Sequence, residues 1–215
     1  MPSAEEGHGV DGLAVIVLAG GESRRFGSDK LVAYLDTRTL LEHALDGIPA
    51  DTPIAVVGPE RPLSRAVTFL REDPPGGGPA AGLVAGLQWA LGRHASVIAT
   101  LPGDAPAGGR AALQLVRALT ANPDQRSPSV DGERGVATDP EAVVAVDAEG
   151  REQVLQLALR PNVAEALIEL AGPGAGHGES VRRLLHRLPR SPRQVELSAD
   201  LTSDIDTTAQ LRARG

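Results

Sequence analysis

The chain has 215 residues, with 28 acidic and 21 basic side chains. Its net charge of −7 argues against a nucleic-acid-binding protein, because such a protein needs positive charge to face the phosphates. It contains no cysteine, which excludes disulfides, thiolate catalysis and zinc ribbons. Hydrophobic residues make up 41% of the chain but aromatic residues only 2%, so we expect an aliphatic core. No apolar run is long enough to span a membrane, and we expect a cytoplasmic protein with neither nucleic-acid nor membrane partners.

Short apolar runs alternate with helical patterns along the chain, which predicts an α/β layered fold with a mainly parallel sheet. The predicted strands are 13–18, 53–58, 66–70, 96–101, a hairpin of 142–147 and 153–159, and 194–197. The predicted helices are 39–48, 79–94, 111–119, 162–170 and 180–188, with a final short helix introduced by 204–207. We expect the polar residues 1–12 to form a flexible tail and the polar stretch 122–140 to form an exposed loop.

A glycine-rich loop with basic residues follows the first predicted strand. Residues 18–30 read Leu-Ala-Gly-Gly-Glu-Ser-Arg-Arg-Phe-Gly-Ser-Asp-Lys. Glycines let a backbone approach an anion closely, and consecutive amide N–H groups form a phosphate cradle, to which Arg25 and Lys30 would add positive charge. The spacing fits neither the Gly-x-Gly-x-x-Gly dinucleotide motif nor the P-loop. A glycine turn beside solvated basic residues is the alternative.

An aspartate just past the predicted strand 96–101 is a candidate metal ligand. Asp104 would lie at the carboxyl end of a parallel strand, where open α/β sheets bind ligands. Mg²⁺ prefers hard oxygen ligands and commonly takes one or two carboxylates together with substrate phosphate oxygens. An aspartate that caps a helix or forms a turn is the alternative.

The loop after the third predicted strand combines an acid with glycine and proline. Asp73 is expected to end that strand, and Gly78, Pro79 and Gly82 follow it. An acidic side chain there could accept hydrogen bonds from the N–H groups of a ligand. An exposed acid on a flexible connector is the alternative, because glycine and proline clusters are common in loops.

The string Leu-Ala-Gly-Gly-x-Ser-x-Arg-x-Gly-x-Asp-Lys in residues 18–30 resembles the signature of the nucleotidyltransferase superfamily, and most closely its MobA-like branch, the molybdenum cofactor guanylyltransferases. The resemblance implies a Rossmann-like three-layer α/β/α nucleotidyltransferase fold with a mainly parallel sheet. It implies a single domain over 13–215, in which 13–120 binds the nucleotide and 136–215 binds the acceptor.

The resemblance also implies roles for individual residues. Arg25 and Lys30 would clamp the phosphates and, with Asp104 as the Mg²⁺ ligand, would form the catalytic set. The residues around the nucleotide would be Leu18, Ala19, Gly20, Gly21, Lys30, Gly58, Asp73, Gly78, Pro79, Gly82 and Asp104. Asp206, in Asp-Ile-Asp-Thr at 204–207, would be a second metal contact or a phosphate contact, with Asp204 a weaker candidate. A helix cap formed with Thr207 is the alternative.

The implied activity is a Mg²⁺-dependent transfer of GMP from GTP to the phosphate of molybdopterin or its molybdenum form, with release of pyrophosphate. Three departures from the family pattern stand out: Gly58 where asparagine is frequent, Val154 in place of the proline of Gln-Pro-Leu, and an altered motif after Thr207. Two alternatives stay open. One is a cytidylyl- or sugar-nucleotidyltransferase that takes another NTP on the same fold, and the other is a non-catalytic nucleotide-binding regulatory protein.

Other polar residues carry no assigned chemistry. The five histidines lack metal-ligand spacing, and we expect His43 and His94 to lie on the surface. No Gly-x-Ser-x-Gly motif occurs, which disfavours a serine hydrolase. A basic stretch is interpreted as a solvated helical face, with contact to an anionic acceptor as the alternative; it consists of Arg182, Arg183, Arg187, Arg190 and Arg193.

Overall fold

The structure is a computed structural model that describes residues 10–20, 29–121, 139–205, 207 and 209–210. The strands are β1 (Leu13–Leu18), β2 (Tyr34–Leu35), β3 (Arg38–Thr39), β4 (Ile54–Val57), β5 (Thr68–Leu70), β6 (Val97–Pro102), β7 (Ala142–Val146), β8 (Glu152–Leu159) and β9 (Arg193–Glu196). The helices are α1 (Leu40–Ala44), α2 (Pro79–Gly92), α3 (Gly108–Thr120), α4 (Pro161–Ala171), α5 (Val181–His186) and α6 (Ala199–Thr202), and Lys30–Val32 forms a 3₁₀ turn.

A seven-stranded sheet forms the middle layer of the described residues, in the order β5-β4-β1-β6-β8-β7-β9. The strands β5, β4, β1 and β6 are parallel neighbours, as are β7 and β9. β8 pairs antiparallel with both β6 and β7, so within this sheet it alone runs against the others. The prediction of a mainly parallel α/β sheet is confirmed. The other strands of this sheet all end at one edge, which is called the carboxyl edge below.

Helices cover both faces of the sheet and complete three layers. Buried side chains of α1, α3 and α6 pack with Val15 and Val17 of β1 on one face. Those of α2, α4 and α5 pack with Ala14 and Ile16 on the other face. Because β1 is buried on both faces, its position in the fold requires the unbroken apolar run that the sequence shows.

The core of the described residues is the aliphatic one expected from the composition. The largest fully buried side chains are all leucine or isoleucine, which confirms the aliphatic core. Across the described part of the chain, none of the helices combines the length and the apolar character needed to cross a membrane. The flexible tail expected over 1–12 and the exposed loop expected over 122–140 fall mostly outside the described ranges, which do not include 1–9 and 122–138.

Most predicted elements are present with shifted ends, and the largest shift is in the helix predicted over 39–48. α1 begins where predicted, because the Thr39 hydroxyl accepts from the Glu42 N–H and the Glu42 carboxylate accepts from the Thr39 N–H. It ends at Ala44, before a turn at Gly47, whose φ is +84°. The β2–β3 ribbon and α6 are absent from the sequence prediction, because elements of two to four residues leave no periodic signal.

The surface position expected for His43 is wrong. Its side chain is 17% exposed, and its Nε2 lies 2.9 Å from the carbonyl oxygen of Leu35. The unpredicted β2–β3 ribbon supplies this carbonyl, so the error follows from missing the ribbon. His94 is exposed, as expected. The final short helix predicted after 204–207 falls largely on residues outside the described ranges.

Gly86 lets α2 lie directly against β1, because a Cβ at this position would overlap the fully buried side chain of Ile16. We predict that Gly86→Ala lowers the free energy of unfolding by about 1–3 kcal/mol through overpacking. The preference of a helix for alanine offsets up to about 1 kcal/mol of this loss. Urea denaturation followed by circular dichroism measures the difference.

Gly92→Ala is the matched control at the last residue of the same helix, because a Cβ there would come within 4 Å of none of the packed neighbours. This control should leave the free energy of unfolding unchanged or slightly raised. Equal destabilisation by the two substitutions would contradict the close approach of α2 to β1.

Candidate active site

A cavity of about 750 Å³ opens at the carboxyl edge, over the ends of β1, β4 and β6. The first residues of α2 form part of its wall. Seven of the residues predicted to bind the nucleotide line this cavity: Leu18, Gly20, Gly58, Gly78, Pro79, Gly82 and Asp104. They come together because β4, β1 and β6 are parallel neighbours, so the loops after these strands meet at one edge.

Other predicted site residues lie elsewhere. Ala19 is 1% exposed and belongs to the core, so it does not line the cavity. Asp73 does not end the third strand, because β5 stops at Leu70, where its partner β4 also stops. Asp73 is not among the lining residues, although the neighbouring Glu72 and Pro75 are. Three predicted residues lie outside the described ranges: Gly21, Arg25 and Asp206.

Backbone hydrogen bonds hold Asp104 from two directions. The preceding residue, Gly103, donates its N–H to the Leu18 carbonyl at 2.9 Å, and the carbonyl of Asp104 accepts from the Ile205 N–H at 3.0 Å. Ile205 is fully buried. The Asp104 side chain remains 22% exposed and lines the cavity. The main chain of Asp104 is therefore fixed, while its carboxylate stays accessible to a ligand.

Lys30 and Asp104 form an ion pair beside the cavity, with Nζ 2.5 Å from Oδ2. Lys30 begins the 3₁₀ turn Lys30–Val32, which Asp29 caps by accepting the Leu31 N–H at Oδ1. The Lys30 side chain is 17% exposed. Both side chains are mostly buried but keep some contact with solvent, so a ligand that enters the cavity can reach either charge.

Two glycines of the cavity wall are required by the backbone. A Cβ at Gly58 would come within 2.5 Å of the Ala19 carbonyl oxygen, so only glycine lets the ends of β4 and β1 approach this closely. Gly78 precedes α2 with a φ of +85°, and no side chain caps the helix there. The start of α2 thus presents amide donors and the positive end of the helix dipole at the cavity wall, which favours an anionic ligand.

Sequence analysis missed two residues that shape this site. Ile205 is fully buried and bonded to the main chain of Asp104. Arg61, in the loop after β4, is 8% exposed and contacts the main chain of Ala19. A single apolar residue in a polar segment, or a single basic residue in a loop, carries no periodic pattern, so only the tertiary contacts identify them.

Asp147 organises the turn between β7 and β8 at the same edge of the sheet. Its side chain is 9% exposed and accepts hydrogen bonds from the backbone N–H groups of Arg151 and Glu149 and from Nε2 of Gln153. The bond from the Arg151 N–H, followed by the Arg151 guanidinium, holds the pKa of the Asp147 carboxyl below its usual range against the opposing effect of burial.

The basic stretch does not form the single helical face that the sequence predicts. α5 ends at His186, so Arg190 and Arg193 lie beyond it. Arg182 pairs with Glu152 at the start of β8, at 2.9 Å and at the carboxyl edge. Arg193 begins β9, at the opposite edge, and its Nη2 donates to the Ala118 carbonyl at 2.6 Å. The two ends of the stretch therefore face different edges of the sheet.

Residues 15–193 match a family model described as the MobA-like NTP transferase domain. The probable molybdenum cofactor guanylyltransferase of Mycobacterium avium (strain 104) is 30% identical over 208 residues, which cover 94% of this chain and 94% of that protein. The probable molybdenum cofactor guanylyltransferase of Mycobacterium bovis (strain BCG / Pasteur 1173P2) is 33% identical over 168 residues, which cover 75% of this chain and 75% of that protein.

A solved structure shows the same fold. The molybdopterin-guanine dinucleotide biosynthesis protein A from Archaeoglobus fulgidus superposes with a TM-score of 0.61 over 94% of this chain and 96% of that one. The two sequences are 18% identical, so this likeness concerns the fold alone. The expected Rossmann-like nucleotidyltransferase fold is thereby confirmed.

Asp147 is predicted to make stability depend on pH. Because its folded pKa is lowered, its contribution is present above the usual carboxyl pKa of about 4 and is lost as the pH falls through the folded value. We predict that Asp147→Asn has a lower Tm than the wild type at pH 7 and that this difference shrinks below about pH 4. Scanning calorimetry at several pH values measures it.

The control for this experiment is Asp51→Asn, which removes an exposed carboxylate near the opposite edge and so reports the general effect of lower negative charge. A Tm difference between Asp147→Asn and the wild type that stays constant from pH 7 to pH 3 would contradict the ionised, hydrogen-bonded state of Asp147.

Proposed function

The chain belongs to the MobA-like NTP transferase family, and we propose that it transfers GMP from GTP to the phosphate of molybdopterin, or of its molybdenum form, and releases pyrophosphate. The observation that carries the proposal is the cavity at the carboxyl edge, where Asp104 and Lys30 lie beside the segment after β1 and the start of α2. Support for GTP and for this acceptor comes from the named mycobacterial relatives, each a probable molybdenum cofactor guanylyltransferase.

The nucleotide would lie across the ends of β4, β1 and β6. Its base and ribose would contact Leu18 and the start of α2 at Gly78, Pro79 and Gly82, which line one side of the cavity. Gly20 and Gly58 would let the backbone approach the ligand closely. We also propose Asp73 as an acceptor for guanine N–H groups, because it is next to Glu72, which lines the cavity.

The triphosphate would lie against the segment that runs from Gly20 to Lys30. The Lys30 ammonium supplies positive charge at the described end of this segment. We assign the same role to Arg25 and a place in the phosphate cradle to Gly21. A cationic side chain and backbone N–H groups together are a common way to bind phosphate.

The residues at Asp104 fit a magnesium ion. Its carboxylate lines the cavity and already holds a positive charge, the Lys30 ammonium, at Oδ2. Within the described ranges no three His, Asp or Glu side chains are grouped to hold a metal. Mg²⁺ does not require such a group, because it takes one or two carboxylates with phosphate oxygens and water. Asp206 is the proposed second carboxylate, and the bound ion would neutralise negative charge on the phosphates.

The chain's own residues would act by positioning and by charge neutralisation. An oxygen of the acceptor phosphate attacks the α-phosphorus of GTP in line, the bond from that phosphorus to the bridging oxygen breaks, and pyrophosphate leaves. Lys30 and Arg25 would stabilise the charge that develops on the leaving group. Since the acceptor phosphate is already ionised, no side chain has to act as a general base. In this proposal residues 13–120 hold the nucleotide and residues 136–215 the acceptor.

Thermal unfolding with each of the four common NTPs tests the choice of nucleotide. We predict that GTP with Mg²⁺ raises the Tm more than the other three nucleotides do, because the proposed site binds GTP most tightly. A ligand at a hundredfold excess over its Kd stabilises the folded state by about 2.7 kcal/mol. For a chain of this length that corresponds to about 5 °C or more. Pyrophosphate release on addition of molybdopterin then tests the transfer.

The other outcomes separate the alternatives. The largest shift with CTP would favour a cytidylyltransferase. Mg²⁺-dependent binding of GTP without pyrophosphate release, for any phosphorylated acceptor offered, would favour a regulatory protein. An unchanged Tm with all four nucleotides would contradict nucleotide binding at this cavity.

Asp104→Ala tests the proposed metal ligand. We predict a loss of turnover of at least about 100-fold, because the developing charge loses its preorganised electrostatic support. The fold should be retained with a lower Tm, since the Lys30 side chain keeps contact with solvent when its partner is removed. Steady-state rates at several Mg²⁺ concentrations measure the effect.

Asp11→Ala is the control for this variant, because it removes an exposed carboxylate just before β1, at the edge opposite the cavity. It should keep the wild-type rate. A wild-type rate in Asp104→Ala would remove the metal assignment.

A further inference from the structure

Arg61 lies in the loop after β4, against the main chain of Ala19 just past the end of β1. Its side chain is 6% exposed, and among the described residues it is the one arginine or lysine that is buried. Burial of a charge is costly unless the charge is paired and hydrogen-bonded. The partners of this guanidinium therefore indicate what it does in the fold.

Those partners lie on both sides of the glycine segment 20–28. Nε of Arg61 donates to Oδ2 of Asp29 at 2.7 Å. Nη1 donates to the carbonyl of Ala19 at 3.2 Å and to that of Pro59 at 3.0 Å. One planar group thus joins the residue before the segment to the residue after it, and anchors both to the end of β4. A guanidinium suits this task because its donors form a rigid fork.

The contact with Asp29 extends to Lys30. The second oxygen of Asp29, Oδ1, accepts the Leu31 N–H at 3.1 Å and so caps the 3₁₀ turn that carries Lys30. The Lys30 ammonium in turn lies 2.5 Å from Oδ2 of Asp104. Arg61, Asp29 and Lys30 therefore form a continuous series of contacts that ends at the proposed metal ligand.

A direct role in binding phosphate fits Arg61 poorly. Its charge is matched by the Asp29 carboxylate, it is buried, and it does not line the cavity. Lys30, by contrast, forms an ion pair that keeps contact with solvent, so its ammonium can be exchanged onto a ligand. The different burial of the two cations points to different roles.

We propose that Arg61 is a positioning residue, which fixes the two ends of the glycine segment and, through Asp29, the Lys30 ammonium in the geometry that binds the triphosphate. This inference rests on the proposed function. A positioning role and a merely structural role predict different effects on ligand affinity. Loss of Arg61 should weaken binding of the triphosphate much more than binding of the nucleoside, whose contacts lie at Leu18 and the start of α2.

The test compares Arg61→Met with the wild type by titration calorimetry, with GTP and Mg²⁺ as one probe and guanosine as the other. We expect the GTP affinity to fall by about 10- to 100-fold, the loss that results when a hydrogen bond to a charged group is broken or weakened. The guanosine affinity should change by less than about threefold. The kcat/KM for GTP should fall with the GTP affinity.

Arg65→Met is the matched control. Arg65 lies in the same loop, and its guanidinium donates to the carbonyls of Ile48, Pro49 and Ala50, away from the glycine segment. Its loss removes a comparable set of hydrogen bonds and should lower the Tm. It should leave the ratio of GTP affinity to guanosine affinity at the wild-type value.

Asp29→Asn keeps the test decisive if Arg61→Met does not fold, because Asp29 is 38% exposed and asparagine retains an oxygen that accepts from Nε of Arg61. The buried guanidinium thus keeps a hydrogen bond, although it loses its counter-charge. This variant should reproduce the selective loss of GTP affinity. Where both single variants fold, the double variant should lose no more than the larger single loss, since the two residues act as a unit.

Each outcome bears on one hypothesis. A wild type that binds none of the four NTPs overturns the proposed function and, with it, this inference. A wild type that binds GTP, together with Arg61 and Asp29 variants that keep the wild-type ratio of GTP to guanosine affinity, overturns the positioning role alone.

Discussion

The pairing of β1 with β6 is the constraint on which the candidate site depends. The two strands are in parallel register from Leu13 opposite Val97 to Leu18 opposite Pro102. The register continues beyond the strands, where the Gly103 N–H donates to the Leu18 carbonyl. Two segments that are far apart in the sequence, the glycine segment and the turn with Asp104, therefore begin at the same level of the sheet. A shift of one residue would turn the side chains of either strand to the opposite layer, and both layers are fully packed.

Charge at the site is arranged in pairs whose burial differs. The chain is acidic overall, with a net charge of −7, yet a triphosphate needs cations. Lys30 is held against Asp104 with 17% and 22% of the two side chains exposed, so a ligand can reach either charge. Arg61 is held against Asp29 with a nearly buried guanidinium, where loss of one partner would leave an uncompensated charge. Burial thus separates a cation that can be exchanged onto a ligand from one that stays in place.

The sequence predicts the parts of the fold that have local signals. The apolar run of β1 and the strand ends at Gly58 and Asp104 predict a parallel sheet with a site at its carboxyl edge. The placement of β8 between β6 and β7 has no such signal, because strand order depends on pairing between distant segments. The same reason explains the miss at Arg61, whose burial follows from contacts with the Asp29 carboxylate and with the carbonyls of Ala19 and Pro59. The need for glycine at Gly58 is visible only once β4 lies against Ala19.

Contacts between the two proposed halves reach the candidate metal ligand itself. β6 pairs with β8, so residues before and after the segment 122–138 share one sheet and one core cluster. Gln156 of β8 is 2% exposed and donates from Nε2 to the Leu201 carbonyl of α6. The chain then runs from α6 to Ile205, whose N–H is bonded to the Asp104 carbonyl. Because buried backbone groups need their hydrogen-bond partners, a displacement of β8 or α6 would shift or unpair the main chain of Asp104. The half proposed to bind the acceptor therefore supports the carboxylate proposed to serve the nucleotide.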